Sequence, residues 1–241
     1  MIFFMRSIRL LLFFSLVIFL SPALYGRSND CHLTTGNCPG IQDTLDKQLL
    51  FNGRVWRNLF YKVRGNQFLF SDSFMPGTIA INGKTFPDCS IRYDILNDEL
   101  LTKAGQNIII QLNKEMVEGF TFNYNFKTWR FLKFQKDSLN DLTGYVNLLY
   151  QGNVSLYVKY RKVILMLAVD NKYDEFEQTQ KMFLMKDGKI YPVSNQNDVI
   201  ALYSSYKQQI KNYIRINKVK ISRKSPESFV PLIEYCDKLG H

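Results

Sequence analysis

Phe120-Thr-Phe122-Asn-Tyr124-Asn-Phe126 alternates an aromatic residue with a small polar one at every step. A period of two sends successive side chains to opposite faces, so the stretch reads as a β-strand with one apolar and one polar face. Its neighbours extend the pattern. Gln106–Leu112 is rich in β-branched residues, with Ile108 and Ile110 on one face, and Trp129–Phe134 continues the sheet on the other side. Tyr145–Tyr150 and Val154–Tyr160 flank the short loop Gln151-Gly152-Asn153. Lys181–Lys186 and Lys189–Val193 flank Asp187-Gly188, a pair suited to a type I′ turn.

Towards the N-terminus, Gly77–Ile81 runs into Asn82-Gly83, a strong hairpin signal, and Ser90–Leu96 pairs with Glu99–Lys103 through Asn97-Asp98. Arg54–Val63 and Gln67–Phe70, joined by Gly65-Asn66, read as two further strands. Short hairpin connections with no room for a crossover helix predict an antiparallel meander over residues 51–193. It would be closed as a sandwich, a barrel or a strongly curved sheet.

The period changes at residue 194. Val199, Leu202, Tyr203, Tyr206, Ile210, Tyr213 and Ile214 fall on one face of a helix, and Lys207, Lys211, Arg215 and Lys218 on the other. Ser194 to Asp198 supplies its cap. A second helix runs from Ser225 or Ser228 to Leu239, with Phe229, Leu232, Ile233, Cys236 and Leu239 on its apolar face. Pro231 is harmless in its first turn, where the N–H groups have no internal partner. The chain is thus read as mainly β (α+β), with two C-terminal helices over 194–241 packed on the sheet.

Arg6 and Arg9 precede the apolar run Leu10–Leu20, and small residues follow up to Gly26. That order is the signature of a secretory signal peptide, with residues 1–26 removed and cleavage favoured after Gly26. The run is too short to span a bilayer as a helix. Residues 27–50 are polar and read as an N-terminal arm. Export bears on the four cysteines, because the compartment permits disulfides. Cys31–Cys38 would close a small loop. Cys89 and Cys236 are either a bridge or two buried thiols.

The sequence carries 31 Lys and Arg against 21 Asp and Glu, a formal charge of +10. Such a balance raises the odds of an anionic neighbour, a membrane surface or an acidic envelope protein; the row Lys207, Lys211, Arg215 and Lys218 is either its contact or, more plainly, a solvated helix face. Nucleic acid is not expected of an exported chain with no matching motif.

Several stretches together carry a family likeness. They are Gly65-x-Gln-Phe-Leu, Ile91-Arg-Tyr-Asp94-Ile-Leu-x-Asp-Glu99-Leu, Gly144-Tyr with Leu149-Tyr-x-Gly152, and Lys211-Asn-Tyr-Ile214. Over most of residues 50–239 the chain resembles an uncharacterised exported β-rich protein family common in Bacteroidota. The resemblance implies a Gram-negative envelope setting, periplasmic or extracellular, and carries over no catalytic residue.

Chemistry-bearing patterns are few. The two histidines are His32, in the arm, and His241, the last residue, so no histidine-based triad is expected. There is no zinc motif, P-loop or dinucleotide fingerprint, and no cofactor is expected. Asp94, Asp98 and Glu99 cluster at the expected hairpin beside Arg92 and Tyr93, and two of them, such as Asp94 and Glu99, could flank a glycosidic bond for acid/base work. The plainer reading is a structural Arg92–Asp94 pair in a polar turn. Asp170, Asp174, Glu175 and Glu177 read as a solvated loop without the spacing of a calcium site. Trp56 and Trp129 are either core residues or platforms for a sugar or lipid. The reading that emerges is a non-enzymatic binding or accessory module of the envelope. Its alternatives are a carrier that holds a hydrophobic ligand in a curved sheet, and a glycan hydrolase using Asp94 and Glu99.

Overall fold

A computed structural model describes residues 48–105, 108–135 and 142–239. The expected signal peptide, most of the arm, Cys31, Cys38, His32 and His241 lie outside these residues.

The described chain forms one antiparallel sheet. Its strands are β1 (Gly53–Val55), β2 (Met75–Ile81), β3 (Lys84–Asp94), β4 (Glu99–Ala104), β5 (Ile108–Leu112), β6 (Val117–Tyr124), β7 (Lys127–Phe134), β8 (Gly144–Gln151), β9 (Ser155–Val169), β10 (Tyr173–Lys186) and β11 (Lys189–Val193). The expected alternation holds in β6, where Phe120 and Phe122 are buried while Asn123 is exposed. Phe126 departs from it. It is the second residue of the β6–β7 turn, at φ 59° after Asn125 at φ 50°, and its ring is in solvent. The turns at Asn82-Gly83 and Asp187-Gly188 both have two successive positive φ values, as type I′ requires.

The order across the sheet is β1-β5-β4-β3-β2-β6-β7-β8-β9-β10-β11. The meander is therefore broken twice: β1 pairs with β5, and β6 pairs with β2 rather than with β5. The link from β5 to β6 is only Asn113–Met116. Such a link reaches about 17 Å when extended. Four flat strand spacings from β5 across to β6 would need about 19 Å. The short link reaches because this half of the sheet coils strongly, without closing into a barrel. Inside the coil Tyr93, Phe120, Phe122, Phe131 and Tyr145 pack ring against ring, with centroid separations of 4.8 Å for Phe120–Phe131 and 5.2 Å for Tyr93–Phe120.

Two expected strands are not formed as read. The Arg54–Val63 segment is extended only to Val55, and residues 67–70 make a single bridge, Phe68 with Asp94. Asparagine side chains explain both. Asn58 Oδ1 accepts from Phe60 N at 2.9 Å and Asn66 Oδ1 from Phe68 N at 3.0 Å, local bonds that compete with a ladder.

The first C-terminal helix is also divided. Helix α1 (Gln196–Leu202) starts on a capping box, with the Asn195 side chain on the N–H groups of Asn197 and Asp198, and Asp198 reaching back. Tyr203, at φ −123° and ψ 45°, ends it, and a single 3₁₀ turn leads into α2 (Lys207–Ile216). Helix α3 (Val230–Leu239) follows another 3₁₀ turn. Ile210, Phe229, Leu232, Ile233 and Cys236 join the sheet's core, and Tyr213 stacks on Tyr235 at 3.9 Å. Burying aliphatic side chains of this size contributes about 1.5–3 kcal/mol each. No helix among the described residues is long and apolar enough to cross a membrane.

Candidate functional site

The polar hairpin between β3 and β4 organises its surroundings through two aspartates with different tasks. Asp94 closes its own turn. Its Oδ1 accepts from Leu96 N at 2.9 Å and Asn97 N at 3.0 Å, and its Oδ2 from Asn97 Nδ2 at 3.0 Å. The residue is fully buried. Burial raises its carboxyl above the usual range, and these hydrogen bonds and Arg92 offset only part of that rise. Asp98 sits in the left-handed region at φ 58° and faces the other way. Its Oδ1 receives Lys159 Nζ at 2.7 Å and the Tyr93 hydroxyl, and its Oδ2 receives Lys114 Nζ at 2.7 Å. Burial pushes this carboxyl up, but the two ammonium groups and the hydroxyl outweigh it and hold Asp98 below the usual range.

Arg92 does not pair with Asp94. Its guanidinium is buried in an aromatic cage, 4.0 Å from the Phe68 ring centroid, 4.4 Å from Phe74 and 5.0 Å from Trp56. Nη1 donates to the Asp72 carbonyl at 2.7 Å. The expected Arg92–Asp94 pair thus gives way to two separate structural roles: the guanidinium sits among aromatic faces, and the turn amides saturate the carboxylate.

Beside this hairpin lies a cleft of about 300 Å³, where residues after β1 meet Gln67, the β3–β4 turn and β5. Trp56 and Phe60 supply aromatic surface, and Arg54, Arg57, Gln67, Asn97, Glu99 and Gln111 the polar lining. Three of these are linked. Arg54 links the other two: its Nε donates to Gln111 Oε1 at 2.8 Å, and its Nη2 lies 3.5 Å from Glu99 Oε1. Burial raises the Glu99 carboxyl despite Arg54. Gln67 is 3% exposed, and no hydrogen bond of its side-chain amide is formed among the described residues. Of the two expected carboxylates only Glu99 faces the cleft. Trp56 lines it, whereas Trp129 is core, 4.4 Å from Phe70.

The remaining expected site residues lie elsewhere. Lys207, Lys211 and Arg215 are exposed along α2, as read. Lys218 is exposed too, but it lies beyond the helix end in a left-handed turn at φ 51°, so it does not continue the helical row. Cys89 and Cys236 are two buried free thiols, and the bridge between them is not formed. Burial raises both, Cys236 to about 12. The acidic run falls on the β9–β10 hairpin, with Glu175 and Glu177 paired opposite Leu165 and Val163.

Sequence reading missed two features. Arg54, Gln67, Asn97 and Gln111 come from separate segments, and no local pattern joins them. Val163-Ile-Leu-Met-Leu-Ala-Val169 is an unbroken apolar run in the sequence, and in β9 most of it is exposed rather than in the core. Met166 is 83% exposed there, and the Asp174 carboxylate holds Leu167 N at 2.9 Å in a left-handed bulge.

Searches of protein-family models, curated proteins and solved structures give no match to this chain.

Proposed function

We propose that the chain is an exported protein of the cell envelope that works as a binding or accessory module without chemistry of its own. The observation that carries this reading is the fate of the carboxylate pair. Cleavage of a glycosidic bond by the usual route needs two carboxyl groups flanking one bond. Asp94 is buried and saturated by its own turn, which leaves Glu99 as the cleft's carboxylate. The ring-on-ring packing of the coil favours the module over a carrier, since stacked core rings occupy the space a lipid would need. The exposed row Lys207, Lys211 and Arg215 suits an anionic surface.

Native mass spectrometry of the purified mature chain, together with incubation on envelope glycan, tests the reading. The expected result is the mass of the polypeptide alone and no new reducing ends. A co-purifying lipid would establish the carrier. Glycan cleavage lost on Glu99→Gln would establish the hydrolase.

A further inference from the structure

We propose that the cleft beside the β3–β4 hairpin binds a saccharide of one or two rings and prefers an acidic ring; this deepens the binding-module reading and rests on it. A sugar ring offers two chemistries at once. Its C–H face is apolar, and its rim carries adjacent hydroxyls that both donate and accept. A matching site needs a flat apolar surface bordered by planar groups with paired donors or acceptors.

The cleft supplies both. Trp56 is half-buried in its wall and steadied from behind by the Arg92 guanidinium 5.0 Å from its ring. Arg54, Gln111 and Glu99 form a linked row of guanidinium, amide and carboxylate, three planar groups already held in place by one another. Such preorganisation lowers the cost of ordering side chains on binding. Gln67 adds the most telling group. Its residue is 3% exposed, yet its amide is unpartnered among the described residues and lines the cleft. The amide thus leaves a donor and an acceptor open at this wall, and a ligand hydroxyl could meet both. Size agrees as well, since about 300 Å³ lies at the small end of ligand pockets. The preference for an acidic ring follows from charge. Arg54 is engaged with Glu99, whereas the exposed Arg57 makes no ion pair among the described residues and can meet a carboxylate in a forked geometry.

The test uses the mature chain, with digalacturonic acid and cellobiose as probes. In a Trp129→Phe background the fluorescence reports Trp56 alone, and calorimetry gives the affinity. Digalacturonic acid should perturb the Trp56 emission and bind more tightly than cellobiose. Gln67→Ala should weaken both by up to about tenfold, the range of one hydrogen bond. Arg57→Gln, at an exposed position that leaves the fold intact, should abolish the preference by weakening digalacturonic acid more than cellobiose. No response to either probe at about 20 mM, weaker than any useful affinity, overturns the saccharide inference and leaves the module reading standing. Release of free galacturonic acid overturns the non-enzymatic reading and leaves the saccharide ligand in place. Equal binding of both probes overturns the acidic preference.

Discussion

Asp98 and Lys159 meet at 2.7 Å across 61 positions of sequence, with Lys159 almost fully buried. The contact joins the β3–β4 turn to β9, and Tyr93 and Lys114 complete the shell around the carboxylate. Desolvation lowers Lys159, opposed by the Asp98 charge, so removing the carboxylate leaves an ammonium without its main partner. Asp98→Ala should therefore destabilise the fold by about 3–5 kcal/mol, measured by urea denaturation. Replacing both residues with apolar ones, Asp98→Leu with Lys159→Met, should recover much of that loss.

The same carboxylate sets a pH dependence. Its folded pKa lies below the ordinary value of 3.8, so its contribution is present above that value and is lost as pH falls through the folded pKa. The stability gap between the parent and Asp98→Asn, followed by thermal melts from pH 7 downward, should hold to about pH 4 and then close. A gap that widened on acidification would contradict the assigned direction.

Gly144 and Gly188 have similar positive φ values, 74° and 70°, but different surroundings. A Cβ on Gly144 would overlap the Asp98 carboxylate and crowd Lys159 Nζ, whereas nothing lies within 4 Å of one on Gly188. Gly188→Ala should cost about 1 kcal/mol from backbone strain alone. Gly144→Ala should cost roughly 3 kcal/mol or more, because overpacking adds to strain. Chemical denaturation of the two variants side by side checks the ranking.

The thiols separate a buried pair from a bridge. Without reductant, Cys89 and Cys236 should resist iodoacetamide in the native protein, since burial raises both and excludes the reagent. Both should label fully once guanidinium unfolds the chain. Failure to label in denaturant until reductant is added would show a disulfide.

The basic row on α2 makes the last prediction. Replacing Lys207, Lys211 and Arg215 with Gln should shift stability by no more than about 0.5 kcal/mol per site, because all three are exposed. Sedimentation with anionic vesicles should fall for the triple variant, and for the parent as salt shortens the screening length to about 8 Å at physiological strength. Equal vesicle binding by parent and variant would reduce the row to a solubilising face.

The features written in the chain alone are local. The aromatic alternation of β6, the left-handed pairs Asn82-Gly83 and Asp187-Gly188, and the Asn195–Asp198 cap are each written within a few residues, where sterics and neighbouring hydrogen bonds decide the conformation. Which strands are partners emerges from the folded sheet as a whole. The step from β5 to a strand beside β2 depends on how far the sheet coils, and coiling is the summed twist of many strands. The same holds for the cleft. Trp56 reaches Glu99 and Gln111 because β1 adds to the edge of β5, and Gln67 reaches them through its bond to Ile95 after β3, contacts that no short window of the chain encodes. Asp94 and Glu99 show the limit most plainly. They are opposite each other in the β3–β4 register, yet one carboxylate is consumed by its own turn and the other lines the cleft beside Arg54, because which donors reach each oxygen is fixed by the folded backbone.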